Sequence, residues 1–284
     1  MQKTLSSEFL TREERTMLLE RSDLKSLWAI FMHWFWIGLA FALAYFFPNP
    51  LTIIVSLFII GGKQLACAIL MHDASHFSIL KNKKWNDIVG QWLGAYPIFN
   101  NVLDYRPYHK THHLFNGLEE DPDLFLTRGY PTTKKSMGRK FFRDLTGQTG
   151  VKAFLGLMLM KLGYLEYNLG NKVIKVSQKD RTWKAFFIRL HKEFTNPAIA
   201  NIVLFLLLYA FASGWLYLLW FGAYLTTFQF CLRIRSIAEH SIVEDSENPI
   251  LNTRTTYANF LERMLFAPFN VNYHVEHHLS LIHI

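Results

Sequence analysis

The chain has 284 residues, 51% of them hydrophobic and 16% aromatic, and a formal net charge of +8. This aromatic and apolar share is high for a soluble enzyme and fits membrane spans with interfacial rings. Its two cysteines, Cys67 and Cys231, both sit in apolar stretches, which excludes a disulfide framework.

Residues 1–26 are polar and charged, without the apolar core of a signal peptide. They read as a cytosolic arm in which Ser6, Ser7 and Thr11, with Glu13 and Glu14, start a surface helix. Residues 27–47 carry no formal charge. A run of about 20 apolar residues at about 1.5 Å each crosses a hydrocarbon core of about 30 Å. His33 interrupts this span near one end, beside Trp34 and Trp36, and reads as an interfacial belt residue. After the turn Pro48-Asn49-Pro50, residues 51–70 form a return span. It holds Lys63, the only basic residue in any expected span, which either snorkels to the interface or faces the bundle. The bundle-facing reading is the one adopted.

Residues 71–196 hold 20 of the 30 Lys and Arg. Two apolar stretches within them, 85–103 and 151–169, are broken by polar residues and read as interfacial or cytosolic amphipathic helices. Residues 197–213 and 215–232 form a second pair of spans joined at Gly214, and 233–284 are again polar. The fold class expected is an all-α membrane protein, with four transmembrane helices in two hairpins. Basic residues crowd the arm, the central loop and the tail and are missing from both turns, so all three lie in the cytosol. The positive charge is thereby assigned to membrane orientation, and no nucleic-acid partner is expected.

Three short histidine runs then fall on one side of the membrane. They are His72-Asp73-Ala74-Ser75-His76, His109-Lys110-Thr111-His112-His113 and His274-Val275-Glu276-His277-His278. On a helix, positions i, i+3 and i+4 share a face, so each run, if helical, points two or three imidazoles the same way. Imidazole suits iron, copper, nickel and zinc. Eight such ligands exceed what one four- to six-coordinate ion uses, so two metals are expected. Asp73, Glu239 and Glu276 adjoin histidines and are candidates to fix their tautomers; Asp121 and Asp123 either do the same for the second run or cap a turn. The chain has no Glu-x-x-His and no His-Glu-x-x-His, which argues against a carboxylate-bridged soluble bundle and against zinc hydrolysis.

Taken together, the His-x-x-x-His, His-x-x-His-His and His-x-x-His-His runs and their order resemble the membrane fatty acid desaturase family, with its related hydroxylases and ketolases. Asp121-Pro122-Asp123, Arg235 to His240 and Asn270-Val271-Asn272-Tyr273 extend the resemblance, which covers residues from about 50 to 278. It implies a desaturase domain over 27–278, with a cytosolic helical cap holding two non-haem irons. It implies an oxidoreductase that uses O2 and two electrons to place a double bond in an acyl lipid or acyl thioester. It adds His240 as a ninth ligand. Some relatives hold a water-bridging Asn where this chain has Ser236, so that role is not carried over. No haem-binding His-Pro-Gly-Gly segment is present, so the electron donor is expected to be a ferredoxin or a separate haem protein. The alternatives are a hydroxylase or carotenoid ketolase on the same scaffold, or a metal-binding membrane protein without turnover. Finally, Leu279 to Ile284 (LSLIHI) resembles the in-frame translation of a sequencing adapter, so 279–284 is read as a scar on a C-terminally truncated chain and His283 is not expected to be a ligand.

Overall fold

The computed structural model describes residues 11–168, 173–243 and 251–280. Among the described residues the regular elements are helical, apart from one isolated bridge between Leu165 and Lys175. Helix α1 (Arg12–Leu18) is opened by Thr11, whose hydroxyl accepts from Glu14 N at 3.2 Å while the Glu14 carboxylate accepts from Thr11 N at 2.8 Å. That reciprocal pair satisfies donors the first turn leaves open. The expected part of Ser6 and Ser7 lies outside the described residues.

Helix α2 (Asp23–Phe46) starts at the cap Ser22 and α3 (Pro50–Ser75) at Asn49, with Pro50 in the first turn. The two are antiparallel neighbours, tied by Ser56 Oγ donating to Ala40 O at 2.8 Å. His33 is not a belt residue. It is 3% exposed, its Nε2 lies 3.4 Å from Cys67 Sγ, and Trp34 and Phe269 cover its ring. Both its Trp neighbours in sequence suggested an interface, but the α2 face that carries His33 also carries Ile30, Ile37 and Ala40, and that face is the packed one. Lys63 is buried inside the bundle.

The stretch 85–103 departs from the surface-helix expectation. Helix α4 (Lys83–Gly90) runs into a π-helical turn at Gln91–Ala95 and a 3-10 turn at Tyr96–Ile98. The segment is pressed against α3. A Cβ on Gly94 would stand 3.0 Å from Cys67 O, and one on Gly90 would stand 2.2 Å from Ala74 Cβ. Its irregular backbone is satisfied by protein: Trp220 Nε1 donates to Pro97 O, Asn201 Nδ2 to Tyr96 O, and Gln91 bridges to Asn101 and Val102 N. Non-helical backbone at membrane depth needs such partners. The polar residues that made this stretch look superficial are the ones that tie it in.

Helix α5 (Val102–Phe115) carries the second histidine run, followed by the single turn α6 (Leu124–Thr127), then α7 (Lys134–Leu145) and α8 (Gln148–Lys161). Helix α9 (Trp183–Phe211) begins well before the expected 197. Among the described residues, three helices are long and apolar enough to cross a membrane: α2, α3 and α9. In their most apolar windows α3 is 61% buried, against 33% for α2 and 11% for α9, so α3 is the central helix. The expected span 215–232 is not one helix. It is α10 (Leu216–Leu225) and α11 (Thr227–His240), broken at Thr226. Thr226 Oγ1 donates back to Gly222 O, and Thr227 Oγ1 donates across to Leu57 O on α3. Back-bonded threonines bend helices. Two short helices follow, α12 (Phe260–Leu265) and α13 (His274–Ser280). Of the segment read as a scar, residues 281–284, His283 among them, lie outside the described residues.

The α3–α11 contact rests on Gly61, where an added Cβ would meet Thr227 Oγ1 at 2.3 Å and the Phe228 amide nitrogen at 2.7 Å. Backbone cannot yield as a side chain does. Gly61→Val is expected to lower stability by about 1–3 kcal/mol or more through overpacking. Gly38→Ala, which meets open space, is the control. Thermal melts of both variants in detergent check this; equal melting temperatures would remove Gly61 from the account.

Candidate metal centre

The site is assembled from four helix ends that meet on one side of the bundle. Helix α3 delivers His72 in its last turn and His76 as its C-cap residue, and α5 delivers His109, His112 and His113. Helix α11 ends on His240, and α13 opens on His274 and carries His277 and His278. All nine histidines expected from the sequence are brought together. They form two groups in which every histidine offers a ring nitrogen within 4.8 Å of the others. His72, His76, His109, His113 and His277 make the first, and His112, His240, His274 and His278 the second.

The helix period explains this division. Residues i and i+4 nearly superpose, while adjacent residues diverge by about 100°. His109 and His113 therefore serve one group and His112 the other. His274 and His278 likewise serve one group and His277 the other. The expectation that each run points two or three imidazoles the same way holds with two in each: His72 with His76, His109 with His113, and His274 with His278. The two groups touch: the His113 and His278 rings stack with centroids 4.3 Å apart.

The ring nitrogens face one another. His109 Nε2 lies 2.8 Å from His76 Nε2 and 2.9 Å from His113 Nε2, and His274 Nε2 lies 2.8 Å from His240 Nε2 and 3.1 Å from His278 Nε2. The outer nitrogens are held separately. His72 Nδ1 donates to Asp73 at 2.9 Å and His112 Nδ1 to Asp121 at 2.8 Å, with Asp123 3.7 Å away. A proton fixed on Nδ1 leaves Nε2 as a lone pair aimed at the group's centre. Convergent lone pairs repel unless a cation stands between them. The donor chemistry thus fits one metal ion in each group.

Glu239 lies beside the second group, near His274 rather than its sequence neighbour His240. One oxygen lies 3.6 Å from His274 Nε2 and 2.6 Å from Arg235 Nε, and burial raises the carboxyl's pKa despite that arginine. Glu276 accepts from the Thr255 hydroxyl. Sequence reasoning missed several supports. Tyr105 OH lies 3.2 Å from His109 Nδ1, and its place four residues before His109 was a readable signal. Asn116 ends α5, and its amide lies 3.3 Å from His278 Nδ1 while bonding to Asn252. The Asn252–Thr256 strap also holds α13, since Thr255 Oγ1 accepts from Val275 N and Thr256 N donates to Asn272 O. No spacing rule pointed to that strap.

Burial pushes the pKa of His109, His113, His240, His274, His277 and His278 well down, and the neighbouring imidazoles push the same way. These rings are neutral near neutral pH, the state a metal ligand requires. His112 goes the other way: burial lowers it, but the bond to Asp121 and the charges of Asp123 and Asp121 raise it further.

Two comparisons bear on this arrangement. A family model described as fatty acid desaturase matches residues 46–280. Dihydrorhizobitoxine desaturase from Bradyrhizobium elkanii is 30% identical over 240 residues, which are 80% of this chain. The chain spans 62% of that relative's length.

The depressed histidines set a pH dependence. In the unfolded chain a histidine takes a proton near 6.5, while the folded site refuses it until lower pH. Stability is therefore fullest above about pH 6.5 and falls as pH drops below it, because the unfolded state then binds more protons. His112 and the raised Glu239 oppose this, as two groups against six. Melting temperatures of metal-free protein in detergent are expected to fall steadily from about pH 7.5 to about pH 5.5. A flat or rising profile would contradict the buried neutral cluster.

Proposed function

The chain belongs to the fatty acid desaturase family, and from that premise we propose that it is a membrane oxidoreductase that places a double bond in an acyl chain using O2. The observation that carries this reading is the pair of histidine groups, five and four ligands strong, buried where the helix ends meet. Two irons are the metals proposed. His72, His76, His109, His113 and His277 hold one, and His112, His240, His274 and His278 hold the other. When bound, such a pair supplies O2 activation powerful enough to oxidise an unactivated methylene. The balance is two hydrogens from adjacent carbons, one O2, two electrons and two protons, giving one double bond and two waters. An external donor, a ferredoxin or a separate haem protein, supplies the electrons.

The chain's own residues set the conditions for this chemistry. Asp73 and Asp121 keep the Nδ1 protons of His72 and His112 in place, so both rings present their Nε2 lone pairs. Arg235 and Glu239 form a buried charge pair against the second group, and burial of the whole cluster excludes bulk water. In this reading the apolar helices α2, α3 and α9 cross the membrane, with α10 and the start of α11 as a kinked fourth crossing, and the centre lies at the cytosolic surface, which the charge pattern supports. The substrate proposed is an acyl lipid or acyl thioester, which reaches the centre from the bilayer. The relative's name states a desaturation, of dihydrorhizobitoxine, which favours a double bond over a hydroxyl or keto product.

Expression in a host of simple lipid composition, with mass spectrometry of its acyl chains, tests the proposal. New unsaturated chains are expected from the wild type and none from His112→Ala, although the variant still inserts in the membrane. A hydroxylated or keto product would move the protein to the sister reactions. Full activity of His112→Ala would overturn the ligand assignment.

A further inference from the structure

Two ligand histidines sit where a helix is weakest. His76 is the C-cap of α3, with φ −90° and ψ 0°, and His240 is the last residue of α11. The final carbonyls of a helix have no intrahelical donor, and the last turn frays first. Each of these two ends is closed by an arginine from another part of the chain. Arg106, on α5, donates from Nε to Ser75 O and from Nη2 to Ala74 O, both at 3.0 Å. Its guanidinium is itself fixed, paired with Asp87 and lying over the Phe77 ring at 4.0 Å. Arg254, on the strap before the third run, donates from Nε to Ala238 O at 3.1 Å and from Nη2 to Ile237 O at 3.0 Å and Ser241 O at 2.8 Å. Its backbone N–H takes Glu239 O at 2.9 Å.

We infer that Arg106 and Arg254 are paired positioning residues, each clamping the C-terminal end of one ligand-bearing helix so that Arg106 secures the five-histidine group and Arg254 the four-histidine group. The inference rests on the metal reading above. The chemistry is specific to arginine. A planar fork reaches two or three carbonyls at once, and its charge faces the negative end of the helix dipole. Arg106 also stands three residues before His109, so it ties the end of the first run directly to the helix of the second. Arg254 adjoins Thr255, which holds Val275 N and Glu276 at the start of the third run. Each clasp therefore fixes the distance between two ligand helices rather than one helix alone. Replacing groups that orient ligands costs about 10- to 100-fold in metal affinity.

The test is bound iron in the full chain, purified in detergent and reconstituted, with Arg106→Gln and Arg254→Gln each combined with His76→Ala or His240→Ala. His76→Ala leaves only the four-histidine group intact, and His240→Ala only the five-histidine group. Arg106→Gln is expected to strip the iron from the His240→Ala chain and spare that of the His76→Ala chain, with an affinity loss of about 10- to 100-fold. Arg254→Gln is expected to do the reverse. Where a Gln variant does not elute as folded protein, the Lys variant carries the test, with the same selectivity at a smaller loss. Methylguanidinium added to Arg106→Ala or Arg254→Ala is expected to restore the missing iron. Equal loss from both groups, retention in both, or no rescue in a folded variant overturns the inference. A wild type that binds no iron pair overturns the metal reading first, and the clasps with it.

Discussion

Nine imidazoles within contact of one another, seven of them buried, are the constraint on which the rest of this structure depends. Rings whose nitrogens converge at 2.8–3.1 Å give up water for contacts that only some of them can donate to. The outer nitrogens of His72, His112, His109 and His278 meet Asp73, Asp121, Tyr105 and Asn116, which limits how those rings can turn. A cation in each group would resolve the repulsion and return what burial takes. In this view the protein fold and the metals are one equilibrium, and binding free energy is part of folding free energy.

The bundle exists to hold those rings at a fixed depth. Helix α3 is its axis: it meets α2 through Ser56, α11 through Gly61 and Thr227, α10 through Gln64 donating to Trp220 O, and the irregular 91–98 turn through Gly94. Polar cross-links of this kind inside an apolar bundle fix register, where hydrophobic packing alone would permit sliding. The register matters because α3 ends in His72 and His76. A small rotation of that helix would carry both away from His109 and His113.

The sequence disclosed the chemistry better than the architecture. Histidine spacing is a local property, and the nine residues expected are the nine that converge. The acidic partners were half legible. Asp73 bonds its own neighbour His72, whereas Glu239 pairs with Arg235 and comes only within 3.6 Å of His274 Nε2. Hydropathy found α2, α3 and the core of α9, since long uncharged runs have few alternatives. It could not see the break at Thr226, which depends on where two threonine hydroxyls find carbonyls. It also could not see that 85–103 is buried, because Gln91 and Asn101 satisfy each other only once the chain has folded back. His33 was misplaced for a related reason: Trp neighbours mark an interface on average, but the face of the helix decides. The turn of about 100° between adjacent helical residues separates His112 from His113, but which of them joins His109 is set by the other helices.

The central claim is that adjacent histidines on one helix serve two different ions. Crystals of the iron-loaded protein, measured on either side of the iron absorption edge, test it most directly through anomalous scattering. The account predicts two iron peaks, one enclosed by His72, His76, His109, His113 and His277, the other by His112, His240, His274 and His278. A single peak, or a peak ligated by both His112 and His113, would contradict it.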